Sequence, residues 1–112
     1  MTLDELIQAH PILQNVECGV DVPPGWVALV HDLATKLEAI RGVKIEQLKQ
    51  KLGGLRCYLV YLGAIHNAEA DRLIDEAEDV AGRTCEVCGA EGSTVRSAAG
   101  YLTVRCQEHL PG

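Results

Sequence analysis

Four residues near the C-terminal end carry the clearest chemistry in this chain: Cys85, Cys88, Cys106 and His109. They fall in two pairs, Cys85-x2-Cys88 and Cys106-x2-His109, with seventeen residues between the pairs. A two-residue gap lets both side chains of a pair converge on one tetrahedral ion, and thiolates with an imidazole are donors that zinc prefers. Gly89 follows Cys88 directly, where a tight knuckle turns backbone amides toward a thiolate sulfur. Four protein ligands leave no coordination position open, so the expected ion is a structural Zn2+ rather than a catalytic one. The competing reading is a redox CxxC with an unrelated Cys and His nearby, and it uses only part of the pattern.

The second group is basic: Lys49, Lys51 and Arg56, with Tyr58. Residues 43–62, VKIEQLKQKLGGLRCYLVYL, read as a β-hairpin with Gly53-Gly54 as its two-residue turn. Helical spacing of Ile45, Leu48 and Leu52 offers a helix over 43–52 as the alternative. The hairpin is preferred because it sorts side chains in one register: Leu52 opposite Leu55, Lys51 opposite Arg56, Gln50 opposite Cys57, Lys49 opposite Tyr58, Leu48 opposite Leu59. Leu48, Leu52, Leu55, Cys57 and Leu59 then share one face, and Lys49, Lys51, Arg56 and Tyr58 share the other. Like charges directly opposite each other destabilise a sheet unless a negative group compensates. The functional reading of this face is an anion site, for a phosphate, a nucleotide or an acidic patch on a partner; the structural reading, which weighs at least as much, is a surface that is simply solvated or lies beside acidic groups of the Asn67–Gly82 helix. Gly53-Gly54 resembles a phosphate-cradling loop only loosely, and a hairpin turn accounts for it.

No other constellation points to catalysis. Cys57 is expected as a small core residue on the apolar face and Cys18 as a loop residue. No local motif supports a cysteine nucleophile paired with His10, His31 or His66, and His31 is expected at the surface of its helix. A Ser elbow, a P-loop, HExxH and paired carboxylates are all missing from the sequence. The chain is accordingly read as a non-enzyme. Trp26 is expected to anchor the core, with an interface as the other use of such a residue.

These groups need elements to hold them. Thr2 and Glu5 have capping-box spacing, opening a short helix that ends near His10-Pro11. Ile12 to Gly25 reads as loop. Trp26, Leu29, Val30, Leu33, Leu37 and Ile40 then mark an amphipathic helix stopped by Gly42. Asn67 caps a third helix, with Ala70, Leu73, Ile74, Ala77 and Val80 or Ala81 as its buried stripe and Gly82 at its end. The body, 1–83, is thus an α-α-β-β-α arrangement of the α+β class, with helices on one face of a small antiparallel sheet. A two-stranded sheet is marginal alone, so helices or a further strand must cover it. In 84–112, Ser93–Arg96 and Tyr101–Arg105 read as two short strands joined through Ala98-Ala99-Gly100. Two knuckles on a hairpin make a zinc-ribbon module, since three residues after His109 are too few for the helix of a treble clef.

Bulk properties narrow the classes further. At 112 residues the chain has a modest core, and a metal that ties down one end has an evident use. No apolar run is long enough for a membrane span and the first ten residues are acidic, so no secretion signal is expected. An odd count of five cysteines fits a reducing cytoplasm, where metal is favoured over disulfide. A net charge of −6 argues against general affinity for nucleic-acid phosphates. That charge is uneven: −5 over 1–40, +4 over 41–62, −4 over 63–84 and −1 over 85–112. Acidic segments of one copy meeting the basic hairpin of another would give a homo-oligomer.

Two strings occur together, GWVALVHDLATKLEAI leading to QLKQKLGGLRCYLVYL, then AEDVAGRTCEVCGAEG with a closing TVRCQEH. From about Gly25 to His109 the chain resembles a family of small uncharacterised bacteriophage and prophage proteins. That family has a Gly-Trp helix start, a KxKxGGLRxY hairpin and a C-terminal CxxCG…CxxH module. Its motif positions here are Trp26, Lys49, Lys51, Gly53, Gly54, Leu55, Arg56 and Tyr58, with the four metal ligands; Leu52 stands where Phe is more usual. The resemblance implies a phage accessory protein acting in the cytoplasm of a bacterial host. Such small acidic proteins often block a host protein or sequester a defence signal. The expected function is therefore a non-enzymatic binding protein that inhibits or adapts a host protein. A binder of a small anionic, nucleotide-like ligand is the alternative, and a nucleic-acid-binding regulator using the ribbon comes third.

Overall fold

In the computed structural model, which describes residues 1–62 and 67–111, the first and last α-helices begin where a side chain satisfies free backbone donors. Thr2 and Glu5 close a reciprocal capping box at the start of α1 (Leu3–Ala9). Pro11 then opens a single turn, α2 (Pro11–Gln14), since its missing N–H costs nothing at a first helical position. A short 3-10 turn, Pro24–Trp26, leads into α3 (Val27–Glu38). Asn67 accepts from the Ala70 N–H at 3.1 Å and starts α4 (Ala68–Ala81), whose buried positions include Ala70, Leu73, Ile74 and Ala81. Val80 faces outward instead.

The segment between α2 and α3 was expected to be all loop. It contains β1 (Val20–Asp21), which pairs in parallel with β2 (Val43–Lys51), Val20 beside Leu48 and Asp21 beside Lys49. With β3 (Gly54–Tyr61) this makes a mixed sheet of order β1-β2-β3, covered by the helices on one face. Two residues are too short for a periodic signal, and their pairing depends on a strand more than twenty positions away.

The hairpin exists, but its turn and register differ from expectation. Lys51 pairs with Gly54, so the turn residues are Leu52 and Gly53, with φ of +54° and +77°. Positive φ at both central residues is the primed turn whose twist matches the strands. Gly53 also packs tightly on the second hairpin: a side chain there would meet Leu102 at 3.2 Å. The observed pairs are Gln50–Leu55, Lys49–Arg56, Leu48–Cys57 and Gln47–Tyr58, with a bulge before Gln47. Relative to expectation the strands have slipped by two residues, which preserves the faces because side chains alternate with period two. Leu48, Leu55 and Cys57 remain inward. Leu52 does not: it sits at the turn and is 64% exposed. The like-charged neighbours across the strands are Lys49 and Arg56, not Lys51 and Arg56.

The remaining residues form β4 (Ser93–Arg96) and β5 (Leu102–Arg105), an antiparallel pair, and a closing 3-10 turn, Gln107–His109. Val104 of β5 joins the cluster of Trp26, Leu6, Leu37, Ile45, Leu48 and Leu55, so body and C-terminal hairpin share one core. The chain is α+β, as its patterns indicate.

Candidate metal centre and sheet surface

The Cys85–Gly89 segment forms a knuckle. Cys85 donates its N–H to Ala90 O at 2.8 Å, and Gly89 donates to Cys85 O at 3.0 Å with a φ of +82°. Cys106 precedes the 3-10 turn that carries His109 back toward it. The four ligand atoms lie within 4.8 Å of one another, with Cys88 Sγ to Cys106 Sγ at 3.7 Å and Cys106 Sγ to His109 Nδ1 at 3.2 Å. Cys85 Sγ is 3.9 Å from the same nitrogen. A tetrahedral divalent ion, with bonds of roughly 2.3 Å to sulfur and 2.0 Å to nitrogen, spaces its donors by roughly 3.5–3.8 Å. The cluster therefore fits a metal ion held by four protein ligands.

The local electrostatics suit a cation. Burial raises the pKa of Cys85, but N–H groups of Cys106, Cys88 and Val87 aimed at its sulfur outweigh burial and bring it down to about 6. At Cys88 the Ala90 N–H favours the thiolate, yet burial and the neighbouring sulfurs prevail and its pKa rises. Three sulfurs this close cannot all ionise without a positive charge between them.

The knuckle is seated on the start of α3. Gly25 donates to Glu86 O at 2.8 Å, and the Trp26 indole donates to Thr84 O at 2.8 Å. A Cβ on Gly25 would lie 2.0 Å from Cys85 O, so only glycine fits. Glu86, itself buried, accepts from Thr103 Oγ1 at 2.9 Å and Val104 N at 2.6 Å. These contacts make Trp26 a core anchor, fully buried, and not an interface residue.

Lys49, Lys51, Arg56 and Tyr58 all project from the sheet face opposite the helices. No carboxylate stands within ion-pairing distance of Lys49, Lys51 or Arg56 among the described residues. Asp21, beside Lys49 in the ladder, is the one acidic residue that pairs into this face. The Lys–Asp and Arg–carboxylate ion pairs lie on the helices: Lys36–Asp32, Arg72 with Glu69 and Glu76, and Arg83–Asp79.

The chain matches no protein-family model, no curated protein and no solved structure.

One constellation escaped the sequence reading. His10 is buried, its Nδ1 2.8 Å from Glu38 Oε1 and its Nε2 2.7 Å from His31 Nδ1. Glu38 Oε2 also accepts the Ile12 N–H at 3.3 Å. With the His10 Nδ1–H donating to Glu38, His10 Nε2 accepts from the His31 Nδ1–H, and the chain runs carboxylate, imidazole, imidazole. It pins the α1–α2 corner onto α3. The available signal was the spacing of His31 and Glu38, two helical turns apart on one face. His31 is exposed, as expected, but engaged. His66, the other histidine considered, lies outside the described residues. Cys57 is a core thiol whose pKa burial pushes up to about 12, the Glu78 charge adding to the effect, which suits a packing residue and not a nucleophile. No helix of the described residues is long and apolar enough to cross a membrane.

Proposed function

We propose that this protein is a non-enzymatic binding module of the bacteriophage accessory kind, which docks its basic sheet face on an acidic surface of a bacterial host protein. The carrying observation is that, among the described residues, no carboxylate stands within ion-pairing distance of Lys49, Lys51 or Arg56 on the sheet face opposite the helices. Keeping like charges adjacent costs stability, and a partner carboxylate offsets that cost only in the complex. The face is open: the hollows along α3, α4 and the knuckle include none of these three cations. Small nucleotides bind in concave sites, so these cations suit a macromolecule better. Arg96 and Arg105 of the second hairpin already donate to Gly100 O and to Thr103 and His109 O, so the ribbon offers little to phosphates.

The metal in this reading is Zn2+, the ion that three thiolates and one imidazole in tetrahedral array select, and its role is structural. It holds the knuckle against Gly25 and so supports the core beneath the binding face. The likeness to bacteriophage proteins is the ground for seeking the partner in bacterial cytoplasm, where blocking a host or defence protein is the role proposed.

Affinity capture from bacterial lysate tests the reading, with wild type beside a Lys49→Ala/Lys51→Ala/Arg56→Ala variant. A host protein held by wild type, released by moderate salt and lost by the variant is the expected result. Equal capture by both proteins would remove the basic face from the argument. Elemental analysis should find one zinc per chain.

A further inference from the structure

Among the described residues the long outer edge of β3 meets no other strand. Antiparallel ladders alternate, so Lys51–Gly54, Lys49–Arg56 and Gln47–Tyr58 exchange hydrogen bonds across the hairpin. Leu55, Cys57 and Leu59 therefore turn their N–H and C=O groups away from β2. The Leu62 N–H to Gly42 O bond of 2.8 Å continues the same alternation at the far end. Among the described residues no backbone partner reaches these three edge positions. Natural edges are usually blunted by proline, by shortness or by a cover. Gly54–Tyr61 has no proline, runs for eight residues, and exposes Tyr58 and Val60.

Helix α4 runs alongside and leaves a groove of about 340 Å³ whose walls include Cys57, Leu59, Ile74, Asp71 and Asp75. The acids of α4 are divided by face. Glu69, Glu76 and Asp79 are paired with Arg72 and Arg83. Asp75 and Glu78, next to the β3 edge, have no cation within ion-pairing distance among the described residues. Glu78 has the Cys57 N–H and, farther off, Arg56 acting on its carboxylate. Leu55 and Leu59 turn backbone donors and acceptors outward beside Asp75, and Glu78 holds the Cys57 N–H between them until a strand takes its place, an edge complementary to an extended chain bearing cations.

We infer that the β3 edge and α4 form a docking groove for an extended, basic segment of a partner protein. The segment adds to the sheet as a fourth strand, pairing with the backbone of Leu55, Cys57 and Leu59. Alternate Lys or Arg side chains, those pointing to the helix side, meet Asp75 and Glu78. This goes beyond the reading of the basic face and does not depend on it. The two surfaces adjoin along β3, so one strand, basic toward α4 and acidic toward Arg56, satisfies both.

The test uses isotope-labelled full-length protein and a blocked nine-residue peptide alternating lysine and valine. On addition, the backbone amides of Leu55, Cys57 and Leu59 should shift, and those of Leu55 and Leu59 should exchange with solvent about tenfold more slowly. Asp75→Asn/Glu78→Gln should weaken binding by about tenfold, as should N-methylation of the peptide amides that face the edge. The Lys49→Ala/Lys51→Ala variant, which leaves Arg56 in place beside Glu78, should bind this peptide undiminished, which separates this groove from the basic face. Unmoved edge amides at millimolar peptide, or equal binding of the N-methylated peptide, would overturn the inference; the latter means adhesion by charge alone.

Discussion

The indole N–H of Trp26 donates to the carbonyl of Thr84, fifty-eight positions downstream, at 2.8 Å. This bond joins the 3-10 turn that leads into α3 to the residue that precedes the metal knuckle. Trp26→Phe keeps much of the apolar ring and leaves the part-buried Thr84 carbonyl without its donor, at a cost of about 1–2 kcal/mol. Urea unfolding should show that loss. Metal affinity should fall with it, because folding and binding of such sites are linked.

Gly25 offers a sharper test of the same seat. Gly25→Ala places a methyl where Cys85 O already lies, so backbone must move, and the expected cost is about 3 kcal/mol or more. Gly19→Ala is the control, since open space surrounds Gly19 and only its φ of +87° is strained. That variant should lose about 1 kcal/mol and keep its metal in a chelator competition assay.

At the hairpin turn a side chain occupies the left-handed region without burial in return. Leu52→Asn should stabilise the protein by about 1 kcal/mol, because asparagine followed by glycine is the preferred pair for this turn. Thermal unfolding would read the gain, and the pattern of cross-strand contacts by NMR should not change.

Glu78 predicts a pH dependence. Burial, with Asp75 nearby, raises its pKa, and the Arg56 charge and Cys57 N–H offset this only in part. A carboxyl whose folded pKa exceeds its unfolded value favours folding below the unfolded value, near 4.5, and loses that contribution as pH rises through the folded value. Glu78→Gln should therefore raise the melting temperature at pH 7 relative to wild type, with the difference shrinking toward pH 4. A constant difference across this range would mean that charge is not the cause.

The His10–His31 hydrogen bond invites a subtraction. His31→Ala leaves the buried His10 Nε2 without its partner and should cost about 1–3 kcal/mol. Equilibrium unfolding of His31→Ala beside Glu38→Gln would show whether the chain behaves as one unit, through costs that do not add.

Residues close in sequence explain what could be read without coordinates. The knuckle forms because Cys85, Cys88 and Gly89 are near neighbours, and its turn brings amides to sulfur whatever surrounds it. The Thr2–Glu5 box, the Asn67 cap and the stripe Ala70, Leu73, Ile74 follow likewise from periods of three and four residues. The faces of β2 and β3 were legible for a related reason: alternation survives a slip of two residues.

Tertiary structure decided the rest, because the deciding contacts join segments with no shared period. Strand β1 exists only against β2, and the turn settled on Leu52-Gly53 as the bulge before Gln47 set the pairing. Gly25 is glycine because a carbonyl sixty residues later occupies its side-chain space. His10 and Glu38 come together only when α1, α2 and α3 pack. The sequence by itself thus determined a metal cluster, the helices and a two-faced hairpin. Packing alone determined how the cluster is seated, which backbone edge stays open, and which charges are left without partners.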